Sequence, residues 1–315
     1  MLPEVTYCVV NTNQRELLLR GLDAIAREAA LVPFATECLV LDNASDDGSA
    51  EAARAHPAVT EVVALDERRG KGENDSALLQ RTRGPFGLLL NEDSELLPGA
   101  TQALHEALVG RPDAAAAGAR LLHPTGGEPP SAWRFPTPRT ALDAALLRHG
   151  RNVQSTGTAT REVDWAQSSA MLVRRDAAEQ IGWFDPRFFV YSDEVDFARR
   201  LRDAGWAVLW VPGAQAVHHE QLRTGGVPER RIVEFARNRD LYMRTHHGER
   251  DARTVRWLTA PPYALRAAAA LVLPGHGPRR YWRHVTATLR PARGEGLREA
   301  AAAYNAERHA RAGER

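Results

Sequence analysis

Three carboxylates arrive within four residues where the apolar run Leu88-Leu89-Leu90 gives way to Asn91-Glu92-Asp93-Ser94-Glu95. Carboxylates that crowded repel one another unless a cation neutralises them. Hard divalent ions such as Mg²⁺ or Mn²⁺ take oxygen ligands and bridge to substrate phosphates. A solvated acidic turn is the plainer alternative, and the position directly after a buried strand puts the two readings level. A second acidic cluster, Asp193-Glu194-Val195-Asp196, opens an amphipathic helix. The helix dipole is a sufficient reason for acids in a first turn; a functional reading requires one of them to accept a proton from an attacking hydroxyl. The aromatic run before it, Trp183 to Tyr191, reads as core or as a wall for a ligand ring. His218 and His219 follow a strand, where an imidazole is either a polar surface group or part of a metal shell. Gly70-Lys71-Gly72 would let backbone N–H groups approach an anion, with Arg69 and Lys71 as pyrophosphate contacts. Neither a P-loop nor a dinucleotide fingerprint accompanies it.

These residues need elements to hold them, and the first hundred residues alternate strand and helix. Val5–Val10, Glu37–Leu41, Glu61–Leu65 and Gly87–Leu90 read as strands; Arg15–Ala29, a short Ala-rich stretch and Asn74–Thr82 read as helices. Leu18, Leu22, Ile25 and Ala29 recur at helical spacing. That order predicts an α/β fold with a mostly parallel sheet and helices on both faces. Ligands of such sheets bind outside the carboxyl ends of the strands, where the polar segments 11–14, 42–49 and 91–95 fall. Further on, a helix over 100–109, strands over 115–122, 163–173 and 206–211, and a helix from Asp193 are expected. From Glu229 onward the chain reads as helical and basic.

Bulk properties restrict the class. The 315 residues are 43% hydrophobic and 26% charged, with formal net charge +1, which fits a folded protein and points to no nucleic-acid partner. Cys8 and Cys38 lie in strand-like runs, as buried thiols do, and suit a cytoplasmic location. The N-terminus carries no signal-peptide pattern. The longest apolar stretch, Leu258 to Leu273, is interrupted by Pro261, Pro262 and Arg266. A helix packed on the domain is its first reading, a membrane-surface segment the second.

Taken in order, several segments resemble the inverting family 2 glycosyltransferases, and among them bacterial rhamnosyltransferase-type members. They are Val9-Val10-Asn11-Thr12-Asn13, Leu41-Asp42-Asn43 through Ser49, Leu89-Leu90-Asn91-Glu92-Asp93, Val163-Asp164-Trp165, Gly182-Trp183-Phe184-Asp185, Phe188 through Asp196, and Val211-Pro212 through His218. The likeness runs from about Val5 to about His247. It implies a GT-A fold plus a helical C-terminal extension. Residues 1–98 would be the nucleotide-sugar-binding half, 99–247 the acceptor-binding and catalytic half of the same domain, and 248–315 the basic extension.

The resemblance also implies roles. Asn11, Asn13, Asp42 and Asn43 would lie along the nucleoside, with Arg69, Lys71 and Asn91 on the rest of a nucleotide-diphosphate sugar. Asp93 takes the place of the last acid of the family's D-x-D-like motif and would bind a divalent metal, Mg or Mn, with His218 in support and His219 as its alternative. Asn91 departs from the first acid of that motif, leaving Glu92 and Glu95 as accessories. Glu194 occupies the catalytic-base position, with Asp193 in reserve, since the order is Asp-Glu where many members have Glu-Asp. Trp165 and Ser168 would border the acceptor, a glycan or lipid-linked glycan. The implied reaction is one in-line displacement that inverts the anomeric carbon. A sugar nucleotidyltransferase and a non-catalytic sugar-nucleotide-binding protein are the rival readings. The basic extension, with Arg279, Arg280, Arg283 and Arg290, reads as a solvated helical face, with peripheral contact to anionic lipid at the inner face of the plasma membrane as its alternative.

Overall fold

The computed structural model describes residues 2–219, 228–273 and 277–313. Its first half follows the expected alternation: β1 (Val5–Asn11), α1 (Arg15–Leu31), β2 (Thr36–Asp42), α2 (Ser49–Arg54), β3 (Glu61–Ala64), α3 (Lys71–Arg81) and β4 (Phe86–Asn91). Next come β5 (Ser94–Leu96), α4 (Ala100–Val109), β6 (Ala114–Leu122), β7 (Ala132–Trp133) and α5 (Pro138–Ala145). The second half continues with β8 (Arg161–Val163), β9 (Trp165–Ala166), β10 (Ala170–Arg174), α6 (Arg175–Gln180), α7 (Asp193–Asp203) and β11 (Ala207–His218). Three helices close the chain: α8 (Pro228–Ala269), broken at Gly248, α9 (Pro278–Leu289) and α10 (Leu297–Gly313).

The main sheet has the order β3-β2-β1-β4-β10-β6-β11-β5, with β8 also on β11. All seven residues of β1 are buried, as expected for a central strand covered on both faces. On one face Leu18, Leu22 and Ile25 of α1 pack with Leu104 and Leu108 of α4. On the other, Leu78 and Leu79 of α3 pack with Phe197 and Leu201 of α7 and Tyr242 of α8. Truncating one such buried leucine to alanine costs about 2–5 kcal/mol, so these layers fix the strand ends that carry the polar segments.

Four features differ from the sequence expectation. The parallel order holds across β3, β2, β1 and β4, but β10 inserts antiparallel between β4 and β6. The stretch 163–173 is three short strands, not one. Strand β11 runs on to His218, past the expected end at Val211; the ladder with β6 absorbs Pro212 and Gly213 as a bulge between Val211 and Gln215, a common use of such residues in strands. Helix α3 begins at Lys71 rather than Asn74, so Gly70-Lys71-Gly72 is a helix start and not a free loop.

Candidate active site

The carboxyl ends of β1 and β2 meet through side chains. Asn11 Nδ2 donates to Asp42 Oδ1 at 2.9 Å and to Ser45 Oγ at 3.2 Å, and Asp42 Oδ2 accepts from the Ser45 N–H at 3.0 Å. Asn13, in the left-handed region at φ 53°, accepts from the Asp46 N–H at 2.8 Å. Asn43 is held at both ends of its amide: Nδ2 donates to Thr12 Oγ1 and to the Arg69 carbonyl, each at 3.2 Å, and Oδ1 accepts from the Arg69 N–H at 2.8 Å. These bonds fix the rim of a 440 Å³ cavity lined by Thr12, Asn43, Arg69, Lys71, Asn91 and Glu92.

The opposite wall comes from the chain's last helix. Tyr304 and Ala300 of α10 line the same cavity. The Tyr304 hydroxyl donates to the Ala44 carbonyl at 3.0 Å, and the Arg68 guanidinium lies 3.6 Å from its ring centroid. Asn305 pairs with the Arg68 backbone through both amide ends, at 2.7 and 3.1 Å. The cation–π contact and the hydroxyl bond together hold α10 on the cavity by about 1–2 kcal/mol, so Tyr304→Ala should lower the melting temperature. Thermal melts check this, and an unchanged melting temperature would mean that α10 is held by other contacts.

A buried charge cluster centred on Lys71 adjoins this cavity. Lys71 Nζ donates to Asp75 Oδ2 at 2.6 Å and to Ser168 Oγ at 2.9 Å. Burial works against its charge, but Asp75, Asp193 and Glu194 together hold its pKa above the ordinary lysine value. Asp193 is 1% exposed, and neither oxygen of its carboxylate has a hydrogen-bond partner among the described residues. Burial, then the neighbouring Glu194 charge, pushes its pKa well above the usual carboxylate range, with Lys71 opposing. Glu194 is only partly buried. The turn that delivers both acids is strained: Tyr191 and Ser192 are consecutive non-glycine residues in the left-handed region, at φ 67° and 61°. Each costs on the order of 1–3 kcal/mol, a cost typically retained at functional positions.

Helix α3 seats against this turn without clearance. The Lys71 N–H donates to the Phe189 carbonyl at 2.7 Å, and a Cβ on Gly70 would lie 2.8 Å from that same oxygen. Gly70→Ala should therefore part the two segments, destabilise the fold by about 1–3 kcal/mol and depress activity with it. Thermal melts and activity of the variant read this together; a native-like variant would mean the turn yields freely.

At the end of β4, the antiparallel register pairs Ala170 with Leu90 and so places Asn91 beside Ser169, its Nδ2 donating to Ser169 Oγ at 3.2 Å. Strand β5 pairs with β11 so that Ser94 faces His218. That ladder brings His218 Nε2 to 3.2 Å from Asp93 Oδ1, with both side chains under a tenth exposed. His219 instead reaches Glu95 at 2.7 Å, where Arg20 also binds at 2.8 Å. The histidine alternatives are thus separated: His218 stands on Asp93 and His219 on the outer pair. Glu92 is pushed up to about 8 by burial and by the Asp93 charge, which outweigh the opposing charge of Lys71.

Buried polar atoms without partners concentrate around this cleft. Asn11 Oδ1, both amide atoms of Asn74, Asp75 Oδ1, both Asp193 oxygens and His218 Nδ1 are among them. Such atoms are rare in folded proteins unless water, an ion or a ligand completes them. Lys71 links the parts electrostatically, since its charge acts on Glu92 on one side and on Asp193 and Glu194 on the other. Asp75 was not singled out from sequence, although its i, i+4 spacing from Lys71 was a usable signal. Arg68 and Tyr304 had no local signal.

Trp165 does not join the cluster. It stacks on Trp133 with ring centroids 4.6 Å apart, and its Nε1 donates to the Arg134 carbonyl at 3.1 Å. Beside it, Asp164 enters the wall of a second cavity of 780 Å³, where Arg134, Arg139, Arg151 and Arg199 outnumber Asp143 and Asp164. Ser168, four residues on, lies at Lys71, so the segment 164–168 runs from one cavity to the other.

With this geometry in place, comparison with known proteins is specific. A family model described as "Glycosyltransferase like family 2" matches residues 3–242. The chain is 30% identical over 267 residues to an N-acetylglucosaminyl-diphospho-decaprenol L-rhamnosyltransferase of Mycobacterium tuberculosis, covering 77% of this chain and 87% of that protein. It is 37% identical over 57 residues to the rhamnosyltransferase WbbL of Escherichia coli, covering 18% of this chain and 22% of that protein. Among solved structures, the mannosyltransferase PcManGT of Pyrobaculum calidifontis, in complex with GDP-Man and Mn²⁺, superposes with a TM-score of 0.58 at 18% identity, over 93% of this chain and 86% of that one. TarS 1-349 of S. aureus in complex with UDP-GlcNAc gives 0.54 at 11% identity, over 92% and 82%.

Proposed function

This chain belongs to the family 2-like glycosyltransferases and has their GT-A fold, and on that footing we propose that it transfers rhamnose from a nucleotide-diphosphate sugar to a lipid-linked glycan. The observation that carries the reading is the union of two separate acid sites in one cleft: the Asp93–His218 pair at the end of β4, and Asp193–Glu194 at the start of α7, with Lys71 between them. The rhamnosyl donor and the diphospho-prenol type of acceptor are suggested by the mycobacterial relative. A phosphorylated acceptor also suits the arginine-lined cavity reached by the 164–168 segment.

In this mechanism the nucleoside lies along Asn11, Asn13, Asp42 and Asn43, with Arg69 and Asn91 nearer the diphosphate. Lys71, neutralised in part by Asp75, keeps a positive charge beside the departing group. Glu194 accepts the proton of the acceptor hydroxyl as that oxygen bonds to the anomeric carbon; the bond to the diphosphate oxygen breaks on the opposite face, which inverts the centre. Asp193, buried behind Glu194, holds the base in place through the strained turn.

Asp93 and His218 would hold a divalent ion. Their donor set, one carboxylate oxygen and one imidazole nitrogen, suits Mn²⁺ or Mg²⁺, and Glu92's raised pKa marks charge that a cation would balance. No group of three or more His, Cys, Asp or Glu forms a complete shell among the described residues, so donor oxygens and water would supply the rest. When bound, the ion stabilises negative charge developing on the diphosphate.

No helix is long and apolar enough to cross a membrane among the described residues; we place the enzyme at the cytoplasmic face, working on an acceptor anchored there. The test is a screen of nucleotide sugars by thermal shift with Mn²⁺, followed by transfer to a diphospho-prenol glycan and NMR assignment of the new linkage. Stabilisation and transfer with a nucleotide-diphosphate rhamnose are expected. Transfer of a different sugar, or none to any lipid-linked acceptor, overturns the substrate assignment.

A further inference from the structure

The second half of α8 and α9 turn their hydrophobic pattern inside out. Helices that pack on a protein bury their large apolar side chains and expose small or polar ones. In the second half of α8 and in α9, the buried positions are Ala252, Val255, Ala260, Ala267, Val285, Ala287 and Thr288, whereas Trp257 is 68% exposed, Leu265 72% and Trp282 57%. Trp257, Pro261, Leu265 and Ala268 are all exposed and recur at i, i+4, i+8 and i+11, a single stripe along one helix face. Leu271, Val272 and Leu273 continue it beyond the helix end, equally open. Just past α5, which packs beside α8, Leu146 and Leu147 are exposed as well. Apolar exposure this extensive marks an interaction surface.

Charge on the same segment has one sign. From Ala252 to Gly294 the sequence holds eight arginines and neither aspartate nor glutamate, in a chain of formal net charge +1. Arg256 and Arg283 reach carboxylates outside the segment. Arg279 and Arg280 are exposed and take part in no ion pair among the described residues. The crowding is felt locally: His284, stacked on Tyr263 at 4.3 Å, is pushed down to about 4 by burial and by the charges of Arg280, Arg239 and Arg266. Tryptophan and leucine framed by unpaired arginine is the pattern of helices that lie in the headgroup layer, and arginine in excess selects an anionic surface.

We propose that the second half of α8, α9 and the end of α5 form a docking face for an anionic phospholipid bilayer, with Trp257, Leu265 and Trp282 entering the headgroup boundary and Arg266, Arg279 and Arg280 meeting lipid phosphates. The segment lies on the bilayer rather than crossing it, in keeping with the absence of a spanning helix among the described residues. This deepens the reading of a membrane-anchored acceptor, yet it concerns a different surface from the cleft, so the two can fail separately.

The experiment is flotation of the full chain with vesicles, without donor or acceptor. Binding is expected to phosphatidylglycerol-containing vesicles, far less to pure phosphatidylcholine, and to weaken as salt screens the charges. The pairs Trp257→Ser with Trp282→Ser, and Arg279→Glu with Arg280→Glu, should each weaken vesicle binding at least about tenfold; being exposed, they should leave the melting temperature unchanged. Wild-type protein that stays out of the anionic vesicle fraction overturns the proposal, as does retention of both variant pairs at wild-type levels. A wild-type dimer that the tryptophan pair converts to a monomer, without vesicle binding, assigns the face to a second copy instead. Vesicle binding with no transfer to a lipid-linked acceptor overturns only the acceptor.

Discussion

Glu194→Gln should lower kcat by about 10²–10⁴-fold, the range a positioned general base contributes, while the donor Kd changes little. Glutamine keeps the shape and cannot take a proton. The neighbouring acid provides the control, because Asp193 and Glu194 differ in environment. Asp193 is buried against Gly72, where an added Cβ would stand 3.3 Å from its own Cβ, and burial raises its pKa. Glu194 is partly open. Asp193→Asn should therefore act mainly on structure, lowering the melting temperature as well as activity. Single-turnover kinetics with saturating donor, alongside calorimetry, separate the two variants. If Glu194→Gln keeps normal turnover and Asp193→Asn abolishes it in a stable protein, the base is Asp193.

Asp93→Asn should cost about 10³-fold in kcat/KM, equivalent to several kcal/mol of lost charge stabilisation at the leaving group. It should also weaken Mn²⁺ binding, measured by titration in the presence of nucleotide diphosphate. His218→Ala should move both quantities in the same direction. His219→Ala should not, because that imidazole is engaged with Glu95 on the outer pair. An Asp93 variant with undiminished metal response would remove the ion from this position. Equal effects at His218 and His219 would mean that the ladder between β5 and β11 does not separate their roles.

Much of the first hundred residues was legible because the signals there are local. Strand periodicity around Val5–Asn11 and Thr36–Asp42, helical spacing in α1, and polar segments at the strand ends are all set by side chains a few residues apart. Helix α3 shows the limit of that logic. Gly70 and Gly72 suggested a flexible loop, but tight contact with Phe189 and Asp193 fills the space a side chain would need. Strand β11 shows the same limit: its expected end was Val211, but a bulge against β6 carries the ladder past Pro212 to His218.

Sequence by itself singled out the candidates: acids after β4, acids at the start of α7, a histidine pair, and asparagines beside the first strand. Their order along the chain carried the resemblance to the family, because motif order is a property of the sequence alone. The tertiary structure decided which of them meet. His218 rather than His219 faces Asp93 because β5 and β11 pair in one register, and one residue of slip would exchange the two. Lys71 faces Asp193 because α3 docks on a strained turn, and Tyr304 reaches the cavity lined by Asn43 and Lys71 because α10 folds back over Arg68. The exposed stripe on α8 belongs to the same class of fact. Its residues were readable as apolar, but only packing could show that their large side chains face outward, since helical spacing fixes a face and not what covers it.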